Sequence, residues 1–438
     1  MRVRVRRASR LEADVLAPGD KSISHRALLF GALGTTPMQV RNLAPGADVR
    51  STAACLRALG VNVAEGEGPG AVAVRGGGPS GFTSPSGPLD CGNSGTTMRL
   101  LLGLVAGAGV SCTLDGDASL RGRPMRRILA PLRAMGARVE GQGGPEDERA
   151  PLRVEPVPRL QGMSHRLSIA SAQVKSALVL AGLAAEGETR VREPEPSRDH
   201  TERMLAAWGA PVRVEAGEVV VTRLLHPLLL PEAVEVPGDP SSAAFWVGAG
   251  LLVPGGQVLV RGVDVNPTRT GFLAVLERMG ARVEEEPETA RAGDPVATLR
   301  VRGGQPLRGT EIRPAEVPSL LDEIPLLGIV ASQATGETRV TGARELRVKE
   351  SDRLRQLVLG LRAMGADIDE LDDGFVLRGP TKLHAASIDA AHDHRIAMSF
   401  AIAGLVADGE TEVEGAEWAD ISYPGFFRAL REATGSVS

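Results

Sequence analysis

The chain has 438 residues, 42% apolar and 24% charged, with a formal net charge of -4. This profile excludes general disorder, and no run of 18 apolar residues is present to span a membrane as a helix. Slight negative charge and 3% aromatic content speak against a nucleic-acid surface with base-stacking platforms. Cys55, Cys91 and Cys112 show no C-x-x-C spacing, so neither a disulfide framework nor a zinc site is expected, and a reducing, cytoplasmic setting fits.

Taken in chain order, the first ten residues, MRVRVRRASR, alternate polar and apolar, which predicts a strand rather than a leader. A repeated phrase then organises the rest. LRALGVNV begins at Leu56, LRAMGARV at Leu132, LAAWGAPVRV at Leu205, LERMGARV at Leu276, LRAMGADI at Leu361 and a worn LREATG at Leu430, with spacings of 76, 73, 71, 85 and 69. Each copy reads as the end of an amphipathic helix, a glycine stop and a short strand. GETRV at Gly187, GETRV at Gly336 and GETEV at Gly409 each follow a small-residue apolar helix and open another strand. The unit is helix, strand, helix, strand, repeated six times.

The tripeptide PGD recurs at 18–20 and 237–239, an offset of 219, half the chain. Three units fill the first half. The second half is short by about the length of the N-terminal segment, which is therefore expected to supply its missing strand. The expected domains are 20–237 and, discontinuously, 1–19 plus 238–438, with crossovers near 20 and 238. A single solenoid of six units is the alternative, with repeats long for that architecture.

The first helices of the six units begin DKSISHRALL, GNSGTTMRLLL, SAQVKSALVLAG, GDPSSAAFWVG, LLDEIPLLGIV and HDHRIAMSFAIAG. Their bodies are apolar and predicted to be buried, while their beginnings are polar. Ser, Asp and Asn there suit ordinary capping. Lys21, Arg26, Arg99 and Arg395 do not, because a cation opposes the helix dipole, and they point to a bound anion. Arg121, Arg123, Arg126 and Arg127 flank Pro124, and RVKESDR adds Arg347, Lys349, Glu350 and Arg353. Together they suit a small, highly anionic phosphate or carboxylate ligand. Only Lys21, Lys175, Lys349 and Lys382 are lysines among 50 basic residues, so each is worth weighing as a functional ammonium. GDKS lacks the glycines of a phosphate-binding P-loop, and G-x-S-x-G and H-E-x-x-H are absent. His392 and His394 have strand-ligand spacing but no partner cluster, so no metal is expected.

PGDKSISHRAL at Pro18, GNSGTTMR at Gly92, RGRPM at Arg121, SAQVKSA at Ser171, NPTRTGF at Asn266, LLDEIP at Leu320, RVKESDR at Arg347, DHRIAM at Asp393 and SYPGFF at Ser422 occur in that order. In this the chain closely resembles the 5-enolpyruvylshikimate-3-phosphate (EPSP) synthase family over nearly its whole length. The resemblance implies an α/β (α+β) enolpyruvyl transferase fold: two similar domains, each of three helix–strand units with buried parallel helices and outer sheets. It implies transfer of the enolpyruvyl group of phosphoenolpyruvate to the 5-hydroxyl of shikimate-3-phosphate, with phosphate released through a tetrahedral ketal, in chorismate and aromatic amino acid biosynthesis.

By the same resemblance Lys21, Ser22, Arg26, Ser171, Gln173, Ser197, Asp322 and Lys349 hold shikimate-3-phosphate. Lys21, Asn93, Gly95, Arg123, Gln173, Arg353 and Arg395 hold phosphoenolpyruvate. Asp322, Glu350 and Lys21 are catalytic. No cofactor is implied, since no redox step occurs, and a monomer inhibited by glyphosate is expected. Read without the family, Asp322 could simply cap the following helix, and Glu350 could pair with Arg353 at i, i+3 on an exposed face. Ile421 stands where some relatives carry a lysine, and Ser171-Ala172-Gln173 keeps one serine where many carry two. The UDP-N-acetylglucosamine enolpyruvyl transferases are the nearest alternative, but Ala118 occupies the position of their reactive cysteine. A non-catalytic anion-binding scaffold is the alternative of another class.

Overall fold

The computed structural model describes residues 1–68 and 70–438. The chain divides into two compact units. The first is Gly19–Pro237 with Ala290–Asp294; the second is Met1–Pro18, Gly238–Thr289 and Pro295–Ser438. Each has its own apolar core. The pentapeptide Ala290–Asp294, the tip of a long hairpin, groups with the first unit, which nothing in the sequence signals. There the Asp294 carboxylate is fully buried and lies 2.9 Å from Nδ1 of the equally buried His200.

Six helices form the centres of the repeats: α1 (Lys21–Gly31), α2 (Gly95–Val105), α3 (Ala172–Gly182), α4 (Pro240–Leu252), α5 (Ile324–Ala331) and α6 (His394–Gly404). Their bodies are buried and mainly apolar, as helices enclosed by their own domain must be; all eight residues of α5 are buried, while α1 and α3 also enclose Arg26 and Lys175. In the first unit α2 packs on both α1 and α3, and in the second α4, α5 and α6 pack on one another. Small residues permit this closeness. A Cβ on Gly103 of α2 would lie 2.3 Å from the Ala177 carbonyl oxygen of α3. No side chain fits there without separating the helices, and forcing one into a packed core costs about 1–3 kcal/mol or more.

The sheets repeat one pattern. In the first unit Ala233–Glu235 pairs in parallel with Met38–Arg41, which pairs antiparallel with Val72–Arg75 and that with Asn62–Glu65. Leu89–Asp90, Cys112–Asp115, Arg149–Glu155 and Arg138–Gln142 do the same. So do Ser164–Arg166, Glu188–Arg192, Glu218–Thr222 and Val212–Glu215. In the second unit Glu311–Ile312, Gly336–Val340, Gly374–Gly379 and Asp367–Leu371 follow it.

The N-terminal segment enters the second unit twice. Glu12–Leu16 is the parallel partner of Gln257–Asp264, and Arg2–Arg6 lies antiparallel to Glu410–Glu414. The glycines that end the repeated phrase, Gly60, Gly136, Gly209, Gly280, Gly365 and Gly435, all have positive φ, from 67° to 94°. Each is the left-handed residue that stops an outer helix and turns the chain away from it. No helix is long and apolar enough to cross a membrane among the described residues.

Candidate active site

In the first unit the starts of α1, α2 and α3 carry most of the anticipated residues. Asp20, fully buried, caps α1 by accepting from the Ile23 N–H at 2.7 Å. Lys21 is the first helical residue; its side chain is 41% exposed, with the ammonium 3.2 Å from Asp48 Oδ2. Ser94 and Ser171 cap α2 and α3. Asn93, just before α2, accepts from Arg123 Nη2 at 2.6 Å and donates to Asp117 at 2.8 Å. From α2, Arg99 Nη1 donates to Gln173 Oε1 at 2.7 Å, and Gln173 Nε2 donates back to Thr96 Oγ1 at 3.0 Å. Gly95 faces two guanidinium groups: a Cβ there would lie 2.7 Å from Arg99 Nη1 and 3.1 Å from Arg123 Nη1.

Two cations expected at helix starts lie deeper. Arg26 is the sixth residue of α1 and Arg99 the fifth of α2, past the turn in which the dipole acts. The protein itself supplies their acceptors, so neither requires an anion to explain it. Arg26, 2% exposed, donates to Thr201 Oγ1 at 2.7 Å, Ser176 Oγ at 2.8 Å and the Ser22 carbonyl at 2.9 Å. Burial lowers its pKa to about 10. Its side chain thus ties α1 to α3 and to the helix His200–Ala207. Lys21 and Arg395 do sit in first turns.

One group that sequence reasoning passed over joins two anticipated ones. Glu193 accepts from the Ser171 N–H at 2.8 Å and from the Ser197 hydroxyl at 2.7 Å, and pairs with Lys175 at 2.8 Å. Glu193 lies in a loop of Pro and Glu that resembles any solvated turn. The scarcity of lysine was the only signal leading to it, through Lys175.

The second unit gathers the remainder around Arg353. This residue is 1% exposed and opens the helix Arg353–Ala363. Its three nitrogens reach three carboxylates: Nε to Asp393 at 2.8 Å, Nη1 to Asp322 at 3.3 Å and Nη2 to Glu350 at 2.5 Å. Burial works to lower the Arg353 pKa, but Glu350, Asp393 and Asp322 outweigh it and hold it above the ordinary value. Asp393 also caps α6 by accepting from the Arg395 N–H.

Asp322 is on a 3-10 turn, Leu321–Glu323, that leads into α5. Lys349 Nζ lies 4.0 Å from its Oδ1 and Arg395 Nη2 3.9 Å from its Oδ2, while Arg395 Nη1 donates to its carbonyl at 3.1 Å. The capping alternative for Asp322 does not hold: the residue before α5 is Glu323, and no side-chain cap bond forms there. Glu350 does pair with Arg353 at i, i+3, but from the loop before the helix. Its side chain is 34% exposed, against 2% for Arg353. Two carboxylates thus share one buried guanidinium, with two more cations beside the first: an arrangement able to pass protons and to bind anions.

Beneath it lies a buried polar chain. Arg269 donates to Ser241 Oγ at 3.0 Å, Ser241 donates to Glu323, and Glu323 lies 3.8 Å from Arg395 Nη1. It anchors the turn that carries Asp322.

The sequence profile of EPSP synthase (3-phosphoshikimate 1-carboxyvinyltransferase) matches residues 5–430. A 3-phosphoshikimate 1-carboxyvinyltransferase of Synechococcus sp. (strain CC9605) is 50% identical over 96% of this chain and 95% of its own, and one of Gloeobacter violaceus is 50% identical over 97% and 96%. The solved EPSP synthase of Acinetobacter baumannii superposes with a TM-score of 0.90 at 39% identity, covering 100% of this chain and 99% of that one. The enolpyruvyl transferase NikO of Streptomyces tendae shares the fold at 18% identity, with a TM-score of 0.80 over 100% and 98% of the two chains. The mixed helix–sheet repeats are the enolpyruvyl transferase fold, and the chain belongs to the EPSP synthase family.

Proposed function

We propose that the two residue sets described above carry out the reaction of the family, with the roles that follow. The protein is a transferase that moves the enolpyruvyl group of phosphoenolpyruvate to shikimate-3-phosphate. Lys21, Ser22, Arg26, Ser171, Gln173, Ser197 and Lys349 serve shikimate-3-phosphate, Arg26 chiefly by bracing the helix that carries Lys21 and Ser22. Asn93, Gly95, Arg123, Arg353 and Arg395 serve phosphoenolpyruvate, with Lys21 and Gln173 shared.

Asp322 takes the proton of the 5-hydroxyl as its oxygen attacks the enol carbon, and Glu350 gives a proton to the methylene. The tetrahedral ketal then loses phosphate. Glu350 recovers its proton from the methyl carbon, and the Asp322 proton leaves with the phosphate. The cations offset the charge that collects on the departing phosphate. The observation that carries this reading is the sharing of Arg353 by Asp322 and Glu350. It keeps two potential proton carriers in fixed places while leaving the second partly exposed.

Glyphosate is proposed to occupy the phosphoenolpyruvate subsite, and the enzyme to act as a cytoplasmic monomer. A phosphate-release assay tests the reaction: release should require both substrates. Release with UDP-N-acetylglucosamine in place of shikimate-3-phosphate would overturn it, although Ala118 offers no thiol for that chemistry.

A further inference from the structure

Lys175, Glu193 and Glu202 are buried side by side in the first unit. Their side chains are 5%, 7% and 6% exposed, and Lys175 Nζ lies 2.8 Å from Glu193 and 2.9 Å from Glu202. The two carboxylates outnumber this lysine, and Glu202 is also attracted to the buried guanidinium of Arg26. If the trio served stability alone, three apolar side chains would do as well or better.

The two carboxylates differ in what else they touch. Glu193 Oε1 accepts from the Ser171 N–H at 2.8 Å, and the Ser197 hydroxyl donates to Oε1 at 2.7 Å and Oε2 at 2.8 Å. The Ser197 N–H points at Oε2 from 3.3 Å. Lys175 also donates to the Ser197 carbonyl at 3.3 Å. These partners are all donors, matching the acceptor oxygens of a carboxylate. Burial works against the Lys175 ammonium, but Glu202 and Glu193 outweigh it, so its pKa lies above the ordinary value. Ser171 caps α3, and Ser197 lies in the loop before the helix His200–Ala207. Glu193 is the clasp between them, and it governs which way the Ser197 hydroxyl points. Glu202 reaches neither serine.

We propose that Glu193 is a positioning residue for shikimate-3-phosphate, fixing Ser171 and Ser197 in their binding arrangement, and that Lys175 holds Glu193 in place. This rests on the assignment of those two serines to that substrate.

The matched pair Glu193→Gln and Glu202→Gln tests it, because each variant removes one of the two carboxylates on Lys175. Steady-state kinetics are read on protein shown folded by thermal melting, with Ser197→Ala measured alongside. Glu193→Gln should raise KM for shikimate-3-phosphate about tenfold while KM for phosphoenolpyruvate and kcat stay within about twofold. Glu193→Asp should recover part of the loss. Glu202→Gln should leave all three constants within about twofold, whatever it does to the melting temperature. A Glu193→Gln enzyme with the parent KM, or a Glu202→Gln enzyme with an equal rise, overturns the proposal. If Ser197→Ala itself leaves KM unchanged, the assignment of that serine falls instead.

Discussion

Asp322 and Glu350, 28 positions apart in sequence, are tied to the two terminal nitrogens of one buried guanidinium, that of Arg353, at 3.3 and 2.5 Å. The third nitrogen holds Asp393. One side chain thus spans the turn before α5, the loop before its own helix and the cap of α6.

Removing that cation strands three carboxylates, one of them fully buried. Arg353→Met should lower unfolding free energy by about 3–5 kcal/mol, the range for breaking a buried ion pair from one side. Arg353→Lys keeps the charge but cannot reach three partners, since an ammonium is a point and a guanidinium a fork. It should lose less stability in urea denaturation yet show turnover reduced at least about tenfold. Equal turnover in Arg353→Lys and the parent would show that the fork is dispensable.

The carboxylates themselves should affect rate more than binding. Glu350→Gln and Asp322→Asn preserve shape and hydrogen bonding to Arg353 while removing the exchangeable acid. General acid–base groups contribute about 10²- to 10⁴-fold. Turnover should drop within that range for each, with KM for both substrates changed by less than about fivefold. Steady-state phosphate release measures both constants, and turnover within twofold of the parent would remove the residue from the mechanism.

The repeats were legible because they are local. The phrase ending at Gly60 and its five copies requires a left-handed glycine after each outer helix, and all six glycines have it. That the N-terminal segment joins the second unit was open to counting, since a half-length offset leaves that unit short; that it supplies two strands, Arg2–Arg6 and Glu12–Leu16, and to which partners, was not. The contents of the site were less legible. The family phrases carried Asp322 and Glu350, but that a single arginine binds both depends on chain segments brought together only by packing. Glu193 in its loop has no neighbour in sequence that marks it, and Asp294 on a hairpin tip gives no sign that it is buried against His200. Arg26 and Arg99 misled although their helix starts were legible: they are the sixth and fifth helical residues, and one turn separates a dipole-facing cation from a bracing one.

Three histidines make stability depend on pH in one direction: burial lowers the pKa of His165 as well as those of His25 and His394. Burial chiefly lowers the His25 pKa to about 3, and burial with Arg395 and Arg353 lowers that of His394 to about 3, against an ordinary value of 6.5. Both are neutral when folded at pH 5, while the unfolded chain protonates them. Stability is therefore full above about pH 6.5 and falls as pH drops toward the folded values. The slope is about 1.4 kcal/mol per pH unit for each of these two. Urea denaturation across that range should show the loss, and His25→Gln should reduce its slope by about one proton. An unchanged slope in that variant would mean His25 is not buried neutral.

Gly95 separates two accounts of a glycine at a helix start. If the backbone needed it, φ would be positive, as at the helix-stop glycines; Gly95 is not among the positive-φ residues. An alanine therefore fits the backbone, and the space beside it decides the outcome. Its Cβ would meet Arg99 Nη1 at 2.7 Å and Arg123 Nη1 at 3.1 Å, the ends of two long side chains that can move aside. Gly95→Ala should fold with a melting temperature within a few degrees of the parent. The displaced guanidinium groups, and the methyl itself, then stand where an anion would approach α2. On the proposed reading the parent is inhibited by glyphosate in competition with phosphoenolpyruvate. The variant should need at least about tenfold more inhibitor and show a higher KM for phosphoenolpyruvate, with KM for shikimate-3-phosphate nearly unchanged. Steady-state inhibition at varied phosphoenolpyruvate measures all of these. A parent uninhibited at millimolar glyphosate would refute the inhibitor assignment, and a variant that misfolds would return Gly95 to a purely structural role.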